Sequence, residues 1–328
     1  MKNILKHVIF SITIVLSILL LTEIILRFIF IFYINTDIET YRYAKLLKQK
    51  SSNPNLFFEP KPNTKAKIMG VNVHLNEYGM RYKNISKEKD EIKILCIGSS
   101  TTFGWGVQEE DIYTNIVEKK FKETNKNIKM INCGVVNYNI SEISTLLKQN
   151  FHKINPDYVL LTYTLDDIEV KDNNKTNNSF ILNNSYLYAI CSVKLKKLMF
   201  KLHNKTLSDY YSDLYNSDNW NNTEECILNM KDFCLNNNSN LLVVIIPDLH
   251  EYKDKNITNK FIEIYNKINN FFEKNNISYI NIQNYYNEDF DKITLSPYDS
   301  HPNSKGHQII GNIIYEFLYQ KIIDNKFL

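Results

Sequence analysis

The chain has few cysteines and no block of charge of one sign. Its five cysteines show no C-x-x-C spacing, which argues against a zinc site and against a thioredoxin-like redox motif. The 39 basic and 36 acidic residues are interspersed and leave a net charge of +3, so there is no basic patch for nucleic acid to bind. We therefore expect no metal and no nucleic-acid partner.

Several common enzyme motifs are also absent. The sequence contains no G-x-S-x-G elbow, no H-E-x-x-H zinc motif, no phosphate-binding loop and no G-x-G-x-x-G dinucleotide fingerprint. Their absence removes the main rival enzyme classes, and no cofactor is expected. No repeat with a period of roughly 20 to 50 residues is visible, so solenoids and propellers have no support.

One pair of cysteines could form a disulfide. Cys96 and Cys133 lie in apolar, strand-like runs, where we expect reduced core thiols. Cys226 and Cys234 are the pair that could be oxidised if their domain lies outside the cytoplasm.

The amino terminus carries a long apolar run. No charge occurs from Val8 to Thr22, and the apolar character resumes after Glu23. A helix needs about 20 residues to span a bilayer, and the run as far as Arg27 meets that length. Glu23 and Arg27 stand four apart and can pair along one helix face. Because no A-x-A-like cleavage site follows, an uncleaved signal anchor is favoured over a secretory signal peptide.

Flanking charges bear on the orientation of this helix. Lys2 and Lys6 precede the span and favour a cytoplasmic amino terminus. Four basic residues between positions 42 and 50 follow the span and reduce the asymmetry. We expect a single-pass membrane protein whose main domain lies outside the cytoplasm.

The chain is predicted to have three parts. The transmembrane signal anchor covers residues 1–34, and a stalk and lead-in segment of loops or an edge hairpin, punctuated by prolines, covers residues 35–90. The main domain covers residues 91–328. Within it, Asn-rich loops at about 171–221 are long for a simple connection and are interpreted as an insertion near the carboxyl edge of the sheet.

The main domain alternates short apolar runs with helical patterns. Strands are predicted over Ile92–Ile97, Ile128–Asn132, Tyr158–Tyr163, Leu241–Ile246 and Ile277–Ile282. Helices are predicted over Tyr113–Lys122, Ser141–His152, Glu224–Leu235 and Asn259–Phe272, with a last helix capped at Asn303 or Ser304. This alternation predicts an α/β protein, a three-layer α/β/α sandwich around a central parallel sheet of about five strands.

Four loops after the predicted strands carry candidate chemistry, since ligands of doubly wound sheets bind beyond the carboxyl ends of the strands. The loops are Gly98–Gly104 (G-S-S-T-T-F-G), Asn132–Asn139, Thr164–Asp167 and Asp299–Asn303. Each segment alone also fits a turn or a helix cap. A histidine two residues after an aspartate is suited to act as a base with its orienting carboxylate.

In this order and after these strands, the four segments resemble the blocks of the SGNH (GDSL-like) hydrolase superfamily, over roughly Ile92 to Tyr319. The first segment is similar to the G-G-S-T-T-F-G block of membrane-anchored bacterial members. The apolar span with Glu23 and Arg27, and the segment Asn76–Arg81, also resemble that subgroup. The resemblance implies a flavodoxin-like SGNH fold and a serine esterase.

The resemblance also implies a role for each matching residue. Ser100 would attack the ester carbonyl, His301 would accept its proton, and Asp299 would orient His301. The backbone N–H groups of Ser100 and Gly134 would bind the oxyanion. The family usually has its aspartate three residues before the histidine, where this sequence has Tyr298.

Asp166 departs from the family pattern, because it stands where the third block has an asparagine that donates a hydrogen bond to the oxyanion. An ionised carboxylate cannot donate and repels negative charge. Asp166 must therefore be protonated, be turned away, or have another donor take over its role.

Three functions remain open at this stage. The first is hydrolysis of acyl esters, chiefly O-acetyl esters on cell-envelope glycans, although lipid esters and thioesters are also open as substrates. The second is transfer of an acyl group to a glycan hydroxyl by the same triad. The third is a non-catalytic glycan-binding or assembly scaffold, suggested by Asp166 and by the membrane tether.

Overall fold

The computed structural model describes residues 2–83, 85, 91–169, 184–202, 206–252, 258–285 and 289–324. Part of the predicted insertion at 171–221 therefore lies outside the described residues. The chain divides into two compact units, residues 1–45 with 172–205 and residues 46–171 with 206–328. The domain boundaries inferred from the sequence stay predictions.

The helices and strands follow the predicted alternation. The helices are α1 (Lys2–Phe32), α2 (Thr36–Leu47), α3 (Ser100–Phe103), α4 (Tyr113–Glu123), α5 (Ile140–Ile154), α6 (Tyr186–Leu202), α7 (Leu207–Tyr215), α8 (Asp218–Asn236), α9 (Thr258–Lys274), α10 (Phe290–Ile293) and α11 (Ser304–Leu318). The strands are β1 (Lys48–Lys50), β2 (Phe58–Pro60), β3 (Thr64–Ile68), β4 (Val71–Leu75), β5 (Ile92–Gly98), β6 (Ile128–Asn132), β7 (Tyr158–Tyr163), β8 (Asn240–Ile245), β9 (Ser278–Asn281), β10 (Thr294–Ser296) and β11 (Asp299–Pro302).

The central sheet has five parallel strands in the order β6-β5-β7-β8-β9. Counted along the chain this is the order 2-1-3-4-5, which is the flavodoxin-like form of a doubly wound sheet. The predicted fold class is thereby confirmed.

Alternating side chains of the strands build the two outer layers. In β5, Leu95 and Ile97 face one core with residues of α5, α8 and α9. Ile94 and Cys96 face the other core with residues of α4 and α11. Successive residues of a strand point to opposite faces, so a continuous apolar run such as that of β5 requires helices on both sides of the sheet.

The lead-in segment is more regular than predicted. Instead of loops or one edge hairpin, the structure has α2 and two antiparallel hairpins, β1–β2 and β3–β4. In β4 the residues Val71, Val73 and Leu75 are buried, whereas Asn72 and His74 between them are exposed. This period of two is the signature of a half-buried strand, which the neighbouring prolines obscured.

The unit that contains α1 also contains α6. Helix α1 is long and apolar enough to cross a bilayer, judged by length and composition. Glu23 and Arg27 pair at 2.8 Å, as predicted. The Glu23 carboxylate also accepts hydrogen bonds from the Ser185 hydroxyl at 2.9 Å and from the N–H groups of Tyr186 and Leu187 at 3.0 Å. Glu23 therefore caps the amino terminus of α6.

The disulfide left open by the sequence does not form. All five cysteines are free. Cys226 and Cys234 both lie in α8, where eight residues correspond to about 12 Å along the axis. This exceeds the span of a disulfide.

Candidate active site

The loop between β5 and α3 holds Ser100 at the first position of a short helix. Gly98 precedes it with a φ of +156°, and a Cβ at Gly98 would lie 2.3 Å from Thr102 Oγ1 and 2.8 Å from the Thr162 carbonyl oxygen. Only glycine fits this close approach. The N–H of Ser100 has no acceptor within the helix, because the first N–H groups of any helix lack one.

Ser100, His301 and Asp299 form one hydrogen-bonded chain. Ser100 Oγ lies 2.8 Å from His301 Nε2, and His301 Nδ1 lies 2.5 Å from Asp299 Oδ1. Asp299 and Ser100 are buried, and the His301 side chain is 31% exposed. In this arrangement His301 can take the serine proton, while Asp299 holds the imidazole in the required tautomer.

The two-residue spacing of Asp299 and His301 is explained by the strand that carries them. Both residues belong to β11, where residues two apart share one face. The N–H of His301 also donates to Asp299 Oδ1 at 3.1 Å. A strand therefore achieves with a spacing of two the pairing for which the family usually has a spacing of three.

Asn303, directly after β11, holds the end of that strand in place. Its side-chain amide donates to the carbonyl oxygens of Lys292 and Thr294, at 3.1 and 2.9 Å. Its Oδ1 accepts the N–H of Gly306 at 3.0 Å and so caps α11, as predicted. The end of the strand that carries His301 is thus hydrogen-bonded to both α10 and α11.

A cavity of about 210 Å³ opens at the triad. Its polar lining includes Ser100, His301, Asp166, Tyr211, Asp248 and His250. No group of three or more His, Cys, Asp or Glu side chains suited to a metal occurs in the part of the chain that the structure describes.

Gly134 packs directly against α3, the short helix that begins at Ser100. A Cβ there would lie 2.2 Å from the backbone nitrogen of Phe103, so a larger residue would push the loop away from α3. The N–H of Gly134 donates to Asn132 Oδ1 at 3.0 Å, and Gly134 is not among the residues that line the cavity. Donation by this N–H to an oxyanion stays a prediction. It requires the N–H to leave Asn132 Oδ1, or to be shared between Asn132 Oδ1 and the oxyanion.

The neighbouring carboxylates Asp166 and Asp167 have different surroundings. Asp166 is exposed and lines the cavity, but its place in an oxyanion site stays a prediction. Asp167 is fully buried and accepts the N–H of Thr164 at 2.8 Å. Burial raises the pKa of Asp167 well above its usual value, and the nearby charge of Asp166 raises it further.

Arg81 is a residue whose role the sequence did not reveal. Its buried guanidinium donates to the carbonyl oxygens of Phe103, Gly104 and Val107, at 3.0, 2.7 and 2.8 Å. These three carbonyl groups belong to the end of α3 and to the turn after it. The segment Asn76–Arg81 was noted only as a point of resemblance, and no local pattern indicates that its arginine reaches α3.

His307 is buried next to α4. Its Nδ1 accepts the N–H of Tyr113 at 3.3 Å, and the two rings stack with centroids 6.2 Å apart. Burial lowers the pKa of His307 to about 3. His307 is therefore a neutral structural residue rather than a second base.

Asp248 and His250 were also missed. They follow β8 and line the same cavity as Ser100 and His301, with His250 Nδ1 at 2.8 Å from Asp248 Oδ1. The available signal was the repeated pattern Asp-x-His, which the sequence shows at Asp248 and again at Asp299.

No family model and no curated protein sequence matches this chain. Solved structures do. One is a lipolytic protein assigned to the G-D-S-L family from Desulfitobacterium hafniense, with 13% identity, a TM-score of 0.43, and coverage of 69% of this chain and 99% of the other. The acetyl xylan esterase AlAXEase has 16% identity, a TM-score of 0.42, and coverage of 69% and 98%. The lipase Lip_vut3 from a goat rumen metagenome has 14% identity, a TM-score of 0.48, and coverage of 70% and 98%.

At such identities and TM-scores, a conclusion about function has to come from the geometry of this chain.

Proposed function

We propose that this protein is a serine esterase of the SGNH type that hydrolyses acyl esters, chiefly O-acetyl esters. The observation that carries the proposal is the continuous hydrogen-bonded chain from Ser100 Oγ through His301 to Asp299 at the wall of an open cavity. A serine hydroxyl is a weak nucleophile unless an adjacent base accepts its proton.

In the proposed reaction, Ser100 Oγ attacks the acyl carbonyl carbon while His301 Nε2 takes the hydroxyl proton. The buried Asp299 stabilises the imidazolium that forms. The N–H of Ser100 supports the negative oxygen, joined by the N–H of Gly134 once it leaves Asn132. His301 then protonates the departing alcohol, and a water activated by the same histidine releases the acid.

The proposed substrate is an acylated glycan of the cell envelope. The cavity wall combines Asp166 and Asp248, whose carboxylates can accept hydrogen bonds from the hydroxyl groups of a sugar, with the apolar side chains of Leu165, Ile246 and Leu249. Helix α1 would anchor the enzyme in the membrane with its catalytic domain outside the cytoplasm. The orientation can be tested with a reporter that works only in the cytoplasm, fused after Leu328. Activity of this reporter would show that the orientation is the opposite one.

Acyl transfer to a glycan hydroxyl is the second candidate function. It uses the same acyl-enzyme and differs only in the nucleophile that removes the acyl group. The observation that favours it is the group of polar side chains in the cavity, which could hold an acceptor hydroxyl in place of water. The hydrogen-bonded triad argues against a scaffold that has lost catalysis.

The test uses the full-length protein in detergent with 4-nitrophenyl acetate as substrate. We expect Ser100→Ala to lower kcat by about 10⁴-fold or more. Ser304→Ala is the control, because its hydroxyl bonds to Asp111 on the surface and its removal should leave the rate within about twofold. Comparable rates for Ser100→Ala and the wild type would remove the nucleophile assignment.

A further inference from the structure

The cavity beside Ser100 holds a carboxylate without a countercharge. Asp166 is exposed and lines the cavity, and its side chain forms no ion pair and no hydrogen bond with any residue in the part of the chain that the structure describes. Asp248, which is partly buried, lines the same cavity. No lysine or arginine occurs among the described residues of the cavity wall, and its two histidines are charged only when protonated.

Tyr211 adds a hydroxyl group to the same wall. The residue lies in α7, is only 6% exposed, and packs against the ring of Phe261 with centroids 6.2 Å apart. Its hydroxyl makes no hydrogen bond to any described residue, yet it is not among the fully buried polar atoms that lack a partner. The hydroxyl therefore opens to the space that Tyr211 lines, which is the cavity.

The hydroxyl of Tyr211 lies near both carboxylates. Burial raises its pKa well above the usual value, and the charges of Asp166 and Asp248 raise the pKa further. Helix α7 also contacts the short helix Leu165–Ile168, which carries Asp166. Segments that follow β7 and β8 thus bring two carboxylates to the phenol of α7. The phenol stays protonated at neutral pH, and its oxygen can still accept a hydrogen bond.

These three groups share one chemical preference, because each can accept a hydrogen bond and two of them are negatively charged. An anionic substituent would be repelled, and an apolar one would take the carboxylates out of water without a partner, which is costly. An ammonium group supplies both a positive charge and several N–H donors. It is therefore the substituent that fits this wall best.

A positive charge at this place would also help the reaction. The carboxylate of Asp166 opposes the negative charge that develops on the ester oxygen, and a bound ammonium group would offset that carboxylate. Since an acetyl group carries no charge, the ammonium group has to belong to the alcohol part of the ester.

We propose that Asp166, Asp248 and Tyr211 form a subsite for an ammonium group on the alcohol part of the substrate. This inference rests on the proposed esterase function and specifies its substrate class. The enzyme then selects acyl esters of amino sugars that carry a free amino group over esters of neutral sugars.

The test compares two acetates that differ at one ring position. Piperidin-4-yl acetate has a protonated ring nitrogen at neutral pH, where cyclohexyl acetate has a methylene group. The full-length protein in detergent should hydrolyse the cationic ester with a kcat/KM about 10- to 100-fold higher, the effect of a partly shielded ion pair. Asp166→Asn and Asp248→Asn, which remove a charge but little volume, should each lower this ratio about tenfold.

Tyr211→Phe keeps the ring and removes the acceptor, so it should lower the ratio about fivefold, as expected for one hydrogen bond to substrate. Asp232→Asn is the matched control, because Asp232 is exposed on α8 and does not line the cavity, and its ratio should equal that of the wild type.

A wild-type ratio near one overturns the subsite. So does an Asp166→Asn protein in which the rates on both esters change by the same factor, because that residue would then act without regard to the charge of the substrate. An unchanged ratio in Tyr211→Phe removes Tyr211 from the subsite. A wild-type protein with no Ser100-dependent activity on 4-nitrophenyl acetate would instead remove the proposed function itself.

Discussion

Asp166 lines the cavity beside Ser100, at the sequence position where the resembling family has a hydrogen-bond donor. A carboxylate close to the forming oxyanion opposes the charge that develops in the transition state, whereas an asparagine of nearly the same shape donates to it. The enzyme as it stands would then rely on backbone N–H groups alone, and its turnover would be slow.

We predict that Asp166→Asn raises kcat on 4-nitrophenyl acetate by up to about 10²- to 10³-fold, the range associated with one oxyanion donor. Steady-state rates of the two proteins at the same pH measure the effect. Asp166→Ala is the comparison variant, since it removes the charge without adding a donor, and it should recover only part of the gain. A rate for Asp166→Asn no higher than that of the wild type at any pH places Asp166 outside the oxyanion site.

Arg81 acts through backbone that it holds rather than through substrate. Its three hydrogen bonds satisfy the carbonyl oxygens of Phe103, Gly104 and Val107, all in the segment that follows Ser100. Leaving buried carbonyls without partners costs about 1–3 kcal/mol each. A small shift of α3 would also lengthen the contact between Ser100 and His301.

Arg81→Met should lower the thermal midpoint and reduce kcat about tenfold or more, with little change in KM, because Ser100 is displaced from His301 while the cavity wall remains. Arg81→Lys should be intermediate, since one ammonium cannot reach all three carbonyls in a fixed fork. Lys260→Met, which removes a surface ion pair with Asp209 in α7, is the control. Full kcat in a destabilised Arg81→Met protein would restrict Arg81 to a structural role.

At the level of the elements, α11 contributes a buried histidine to the core against α4. His307 keeps its pKa near 3 in the folded protein because burial disfavours the imidazolium, whereas the unfolded chain has a value near the ordinary 6.5. Below pH 6.5 His307 therefore binds a proton in the unfolded state but not in the folded state. The contribution of His307 to stability is complete above this pH and is lost as the pH falls toward 3.

For this one group the loss is at most about 1.4 kcal/mol per pH unit. We predict that urea unfolding at pH 7, 6, 5 and 4 shows a shallower decline for His307→Gln than for the wild type. Glutamine is chosen because its side-chain oxygen can still accept the N–H of Tyr113. His152→Gln, at an exposed position of α5, is the control and should follow the wild type. Parallel curves for His307→Gln and wild type would contradict the assignment.

The elements also differ in how far the sequence predicted them. The bounds of the five sheet strands, and of most helices between them, were predicted to within a few residues. These elements are buried, and buried residues give the sequence its long apolar runs and its helical periodicity. Helix α8 begins at Asp218, six residues before the predicted Glu224, since its first turns are polar and carry little apolar signal. The three-residue strands β1 and β2 are too short to show a period at all.

The site was predictable to the extent that its residues follow the strands of the sheet. Ser100, His301 and Asp299 lie in segments that converge at one edge of a parallel sheet, and the resemblance to the SGNH blocks is what assigned a role to each. Arg81 did not, since its partners lie more than twenty residues ahead in the chain and nothing local indicates the contact. Asp248 and His250 carry the same spacing as Asp299 and His301, but an isolated Asp-x-His pattern indicates no site until the fold brings it to the cavity.

At the scale of the whole molecule, α6 belongs to the same compact unit as the amino-terminal helix. Within that unit the membrane candidate α1 does more than provide apolar length, because Glu23 caps α6 and Arg27 lies over the ring of Tyr186 at 4.8 Å. A carboxylate in an otherwise apolar helix is costly unless it is paired and hydrogen-bonded. Here the ion pair with Arg27 and the amino terminus of α6 supply both kinds of partner.

We predict that Glu23→Ala weakens the amino terminus of α6 by about 0.5–2 kcal/mol, the usual cost of losing a helix cap. Hydrogen exchange of the Tyr186 and Leu187 amides in detergent should then be about 2- to 30-fold faster, because both amides lose their acceptor. Thr13→Val is the control, since the Thr13 hydroxyl bonds to the Ile9 carbonyl within α1, and exchange at Tyr186 should not change. Equal exchange in Glu23→Ala and the wild type would mean that Glu23 does not hold α6, and the carboxylate would need another explanation for its place in an apolar helix.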